Sequence, residues 1–102
     1  MLPKNRRPIH PGEILREEYL EPLQMTQEQL ARSLGITRLR VNEIILGKCA
    51  VTPDTAYRFA KFFNTSVEFW LNMQQRVDLW DTLKGHEEEY QKIQPLSVAV
   101  EG

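Results

Sequence analysis

The residues of this chain best suited to chemistry lie between Thr26 and Lys48, and the chemistry they suit is recognition of a polyanion. Val41 and Ile44 recur at helical spacing as an inward stripe, which leaves Arg38, Leu39, Asn42 and Glu43 on the outer face of the same short segment. These four are the candidate base readers. Arg suits a guanine edge, Glu accepts from a cytosine amino group, and Leu39 can meet a thymine methyl. Gln27, Thr37, Arg40 and Lys48 are the candidate phosphate contacts, aided by the positive end of the helix that begins near Gln27.

Catalytic chemistry finds no comparable footing. His10 and His86 lie far apart, with no cysteine or carboxylate at metal-ligand spacing near either, and Cys49 is the one cysteine. Glu17 with Glu18, and Glu87 to Glu89, are adjacent carboxylates on segments expected to be exposed, not an opposed acid/base pair. There is no Gly-rich phosphate loop and no nucleophile elbow. The chain reads as a binding protein and not an enzyme, with no metal and no cofactor.

Five helices must position these side chains. Pro11 to Leu23 opens with Pro-Gly-Glu and places Ile14, Leu15, Tyr19 and Leu20 near helical spacing, with Pro22 ending or kinking the segment. Thr26 is an N-cap with Gln29 completing a capping box, and Leu30, Ala31 and Leu34 form the stripe up to Gly35. Thr37 caps a third helix that Gly47 stops. Thr52-Pro53 starts a fourth, with Ala56, Phe59, Ala60 and Phe63 inward and a stop near Asn64. Ser66 caps a fifth, the longest and most aromatic, which is expected to run to about Leu83. The second and third helices meet across one glycine turn. A steep crossing there needs a small residue at Ala31, a left-handed residue at Gly35 and an apolar plug at Ile36, and all three are present.

The 102 residues fit one domain, divided here into a basic arm (1–10), a helix-turn-helix domain (11–84) and an acidic, partly ordered tail (85–102). Net charge is only −1, awkward for a ligand of phosphates, but it is unevenly distributed. Lys4, Arg6, Arg7, Arg32, Arg38, Arg40 and Lys48 make the first half basic, whereas Asp78, Asp81, Glu87, Glu88, Glu89 and Glu101 make the last quarter acidic. One face is therefore expected to be basic. No apolar run approaches the roughly 18 residues of a membrane span and no secretory signal is visible, so a cytoplasmic location is expected.

The segment from Thr26 to Lys48 resembles the helix-turn-helix of lambda-repressor-like proteins. Upstream, His10-Pro11-Gly12-Glu13-Ile14-Leu15-Arg16-Glu17-Glu18-Tyr19-Leu20-Glu21-Pro22-Leu23 leads into Met25-Thr26-Gln27-Glu28-Gln29-Leu30-Ala31, and downstream comes Asn64-Thr65-Ser66-Val67-Glu68-Phe69-Trp70-Leu71-Asn72-Met73-Gln74. In that order, over roughly Ile9 to Met73, the chain resembles HigA-type antitoxins of bacterial toxin–antitoxin operons. The family commonly has Gly where this chain has Gln24. The resemblance implies an all-α, five-helix lambda-repressor-like domain that dimerises, binds an operator palindrome in double-stranded DNA, represses its own operon and neutralises a RelE-like, HigB-type toxin that cleaves messenger RNA.

Phe69, Trp70, Met73, Val77 and Trp80 are more apolar surface than a last helix needs for a small core, and they are the candidate homodimer interface. Two alternatives stand beside the antitoxin reading. One is a helix-turn-helix transcriptional regulator without a toxin partner, and the other is a protein-interaction module that has lost DNA binding.

Overall fold

Each helix start is fixed by a side chain that accepts a backbone N–H otherwise left without a partner. The computed structural model describes residues 6–97 and contains five helices and no strand among them. Residues 1–5 of the expected basic arm, Lys4 among them, and residues 98–102 of the expected tail lie outside the described residues. No helix among the described residues is long and apolar enough to cross a membrane.

Helix α1, residues 11–23, is a single rod with α-helical ends (Pro11–Ile14 and Glu21–Leu23) around a π-helical centre, Leu15–Leu20. The Glu21 N–H donates five residues back to the Arg16 carbonyl. Pro22 has no N–H and so withdraws the donor that the Glu18 carbonyl would take in an α-helix. The rod passes Pro22 and ends one residue later, where Gln24 takes the left-handed conformation at φ 53°, ψ 38°. A side chain with a Cβ is strained there, by about 1–2 kcal/mol. Gln24→Gly is expected to stabilise the chain by about 1 kcal/mol, raising the thermal midpoint by about 4–8 °C. An unchanged or lower midpoint in a calorimetric melt would contradict this.

The cap of α1 was not legible in the sequence. The His10 Nδ1 accepts the Gly12 N–H at 2.9 Å, and the ring is buried. Burial, and next the charge of Arg7, push the imidazole below its usual value, while Glu13, Asp78 and Asp81 act weakly the other way. The folded chain therefore holds neutral His10, with its proton on Nε2. On unfolding the ring regains its ordinary affinity for protons, so this contribution to stability is fully present above pH 6.5 and is lost as the pH falls through the folded-state value. His10→Asn keeps a capping acceptor that does not titrate and should flatten this part of the stability–pH profile, whereas His10→Ala should cost about 1 kcal/mol. Parallel wild-type and His10→Asn profiles between pH 7.5 and 5 would rule the assignment out.

Helix α2 (Gln27–Leu34) begins with the expected capping box: Thr26 Oγ1 accepts the Gln29 N–H, and the Gln29 side chain accepts the Thr26 N–H. Helix α3 is Arg38–Ile45, capped by Thr37, with Gly47 left-handed beyond it at φ 75°. Helix α4 (Pro53–Phe63) is capped by Thr52 and closed by Asn64 in the left-handed region. Helix α5 is Val67–Gln91, capped by Ser66.

The core is built from Leu15, Leu20, Leu30, Ala31, Leu34, Val41, Ile44, Ala56, Phe59 and Trp70, all buried. The Trp70 ring centroid lies 4.8 Å from that of Phe59 and 5.6 Å from that of Tyr19, and its Nε1–H donates to Thr65 Oγ1 at 2.8 Å. Trp70 and Val77 are thus enclosed by the chain itself, and their assignment to a homodimer interface is corrected. They share one helical face with the buried Gln74, whose Oε1 accepts the Val51 N–H at 2.9 Å and holds the α3–α4 loop on α5. Phe69, Met73 and Trp80 keep accessible surface.

The fifth helix also outruns its expected end. It continues past Leu83 and Gly85 to Gln91, with one departure from helical geometry at His86 (φ −135°, ψ 17°). Extending an existing helix requires no new nucleus, and Glu87 to Gln91 contains no breaker before Pro95. The apolar pattern fails beyond Gly85, where Glu87-Glu88-Glu89 follows, which is why the sequence alone places the end of the helix near Leu83.

Candidate nucleic-acid interface

The helix-turn-helix is assembled around two buried residues of α3. Val41 and Ile44 are fully buried against α1 and α2, which fixes the rotation of α3 and turns Arg38 and Leu39 to solvent, Leu39 at 67% exposure. Asn42 and Glu43 are half-buried at the margins of the same face. The turn between α2 and α3 is closed by Gly35 at φ 73° and by the Ile36 N–H, which donates to the Ala31 carbonyl at 3.1 Å. Arg58 of α4 braces it from behind: its Nη1 donates to the Leu34 carbonyl at 2.7 Å while its Nε pairs with Asp54 at 2.8 Å. Sequence reasoning did not single out Arg58. Its i,i+4 spacing from Asp54 is that of an ordinary helix-surface pair and carries no signal of the Leu34 contact.

Gln27 and Asn42 are brought together. Asn42 Nδ2 donates to Gln27 Oε1 at 3.2 Å, and the two line one shallow concavity with Arg38 and Leu39. The pairing orients Asn42 and leaves its Oδ1 as an acceptor and the Gln27 amide as a donor, at the N-terminus of α2. Gln27, expected on a phosphate, is thus also a positioning residue for the neighbouring base-reading candidate.

The other phosphate candidates divide. Thr37 Oγ1 accepts the Arg40 N–H at 3.1 Å, so its hydroxyl hydrogen remains to donate outward. Lys48 is exposed just beyond Gly47, its backbone N–H held by the Glu43 carbonyl at 2.8 Å. Arg40 is half-buried and its Nε is sequestered with no acceptor among the described residues, so its terminal nitrogens are what remain for a phosphate.

The basic half is less available than its composition suggests. Arg7 forms a two-pronged pair with Asp81 of α5, both contacts at 2.8 Å. That hydrogen bonding holds the Asp81 carboxyl below its usual range and raises the Arg7 guanidinium. Arg32 pairs with Glu28, and Arg16 with Glu17. Arg38, Arg40 and Lys48 make no ion pair among the described residues, so the unneutralised positive charge near α3 coincides with the candidate reading face. Electrostatics and geometry therefore mark the same surface.

Comparison with known proteins agrees with this geometry. The helix-turn-helix family profile matches residues 17–70. Antitoxin HigA-1 of Vibrio cholerae is 41% identical over 96 residues, covering 94% of this chain and 90% of that protein. Among solved structures, the Pseudomonas aeruginosa antitoxin HigA with the higBA promoter superposes with a TM-score of 0.84 at 36% identity, over 88% of this chain and 99% of that one. Antitoxin GraA in complex with its operator superposes with a TM-score of 0.84 at 38% identity, over 96% of this chain and 100% of that one. The all-α, five-helix fold is the one these relatives share.

Proposed function

Because this chain belongs to the HigA family of helix-turn-helix antitoxins, we propose that it is a homodimeric repressor of its own toxin–antitoxin operon that also neutralises a RelE-like, HigB-type toxin. In this reading α3 lies in the major groove. Arg38, Leu39, Asn42 and Glu43 meet base edges, while Gln27, Thr37, Arg40 and Lys48 meet phosphates. The observation that carries it is the outward α3 face, with Leu39 exposed and Asn42 held by Gln27 across the helix-turn-helix. The operator-bound relatives support the same placement.

A pair of copies is required by the chemistry of reading. One helix-turn-helix spans only a few base pairs, and two engage both halves of a palindrome. Phe69, Met73 and Trp80 are the residues of α5 that remain for such a seam. The protein acts in the cytoplasm, where its operator and the messenger RNA are.

The test is a reporter driven by the DNA upstream of the gene, together with a growth assay in cells that express the toxin gene of the same operon. Repression by the wild-type chain, relieved by Arg38→Ala, and restored growth are the expected results. Repression without growth rescue would replace this reading by a transcriptional regulator of the same fold with no toxin partner. Rescue without repression would replace it by an interaction module.

A further inference from the structure

The far half of α5 carries apolar side chains that nothing among the described residues covers. Leu79, Leu83, Tyr90 and Ile93 are 51%, 41%, 43% and 69% exposed. At about 100° per residue, Leu79 and Leu83 lie across the helix from Trp70 and Val77, and Tyr90 and Ile93 follow beyond the break in helical geometry at His86. Every residue from 81 to 97 is exposed. A 25-residue helix is about 37 Å long, and the molecule measures 55 × 27 × 21 Å, so the far half stands off the body. An exposed apolar row on a projecting helix has no role in the chain's own stability and marks an interaction surface.

The charge beside the stripe selects the occupant. Asp78, Asp81 and Glu87 to Glu89 outnumber Lys84 and Lys92 over residues 78–93. Asp81 is taken by Arg7, Asp78 accepts from Gln74, and Glu89 faces His86, which leaves Glu87 and Glu88 without an ion-pair partner among the described residues. We propose that this stripe is the docking surface for a basic protein, namely the RNA-binding toxin, a proposal that rests on the function put forward above. A protein that grips messenger RNA presents a basic surface to its phosphates. Glu87 and Glu88 complement that charge and speed encounter, while Leu79, Leu83 and Tyr90 supply the desolvated contact. A second copy of the chain is the poorer occupant, since it brings the same net negative charge to the face.

The test titrates the full-length chain against the purified toxin encoded in the same operon, with molar mass by light scattering and operator affinity measured in parallel. Leu79→Glu combined with Leu83→Glu replaces exposed residues by a good helix former, so the fold is retained, which circular dichroism checks. This variant is expected to bind toxin at least about thirtyfold more weakly, with mass and operator affinity unchanged. Glu87→Lys with Glu88→Lys should slow association and flatten its salt dependence. Unchanged toxin affinity in the first variant would overturn the surface while leaving the proposed function intact. A fall in molar mass would assign the stripe to a second copy instead. Failure of the wild-type chain to bind the toxin would overturn the proposed function, and this surface with it.

Discussion

Gly12→Ala should come close to unfolding this protein. Gly12 is buried where α1 crosses α3, and a Cβ built on it would overlap the Ile44 carbonyl oxygen and lie 2.9 Å from the Ile45 Cα. Both obstacles are backbone, so no side chain can swing aside, and relief requires the two helices to part. Overpacking of this kind costs about 3 kcal/mol or more, a large share of the roughly 5–15 kcal/mol that holds a small domain together. A fall of about 12 °C or more in the thermal midpoint is expected. Gly85→Ala makes the opposite prediction. Nothing lies within 4 Å of a Cβ there, so removing a flexible residue from a helix should stabilise by about 0.5–1 kcal/mol. Equal effects of the two substitutions in denaturant melts would contradict the close crossing of α1 and α3.

The second large effect is on DNA. Arg38→Ala is expected to weaken binding to the operator by about 1–3 kcal/mol, or roughly 5- to 150-fold, while binding to random duplex changes little. Asn42→Ala should behave similarly, and Gln27→Ala should reproduce part of that loss through Asn42, whose amide it holds. Lys48→Ala should instead weaken every sequence alike and reduce the salt dependence by about one phosphate contact. Equal losses on operator and random DNA for Arg38→Ala would remove it from the readers.

Much of this architecture is written locally. Thr26, Thr37, Thr52 and Ser66 each start a helix because a hydroxyl on a residue that is itself extended accepts the N–H three positions on. Gly35, Gly47 and Asn64 end helices because they tolerate positive φ. The reading face followed from the same logic, since burying Val41 and Ile44 leaves only one direction for Arg38 and Leu39. The illegible features depend on distant partners. His10 caps α1 with a ring nitrogen, an uncommon acceptor that no spacing rule flags. Gly12 matters through α3, far along the chain, and Gln74 matters through Val51. Trp70 and Val77 looked like interface because their stripe continues through Trp80. Only the packing of Tyr19, Phe59 and Phe63 on Trp70 separates the covered face from the open one. The Arg7–Asp81 pair likewise joins a basic start to an acidic end that composition had treated as opposite poles.

The most direct test of the central claim is a gel-shift titration of the purified full-length chain against the DNA upstream of its own gene, with random duplex as competitor and two salt concentrations. The account predicts tight binding that survives the competitor and weakens steeply as salt rises. Binding no stronger than to random duplex at either salt would contradict it.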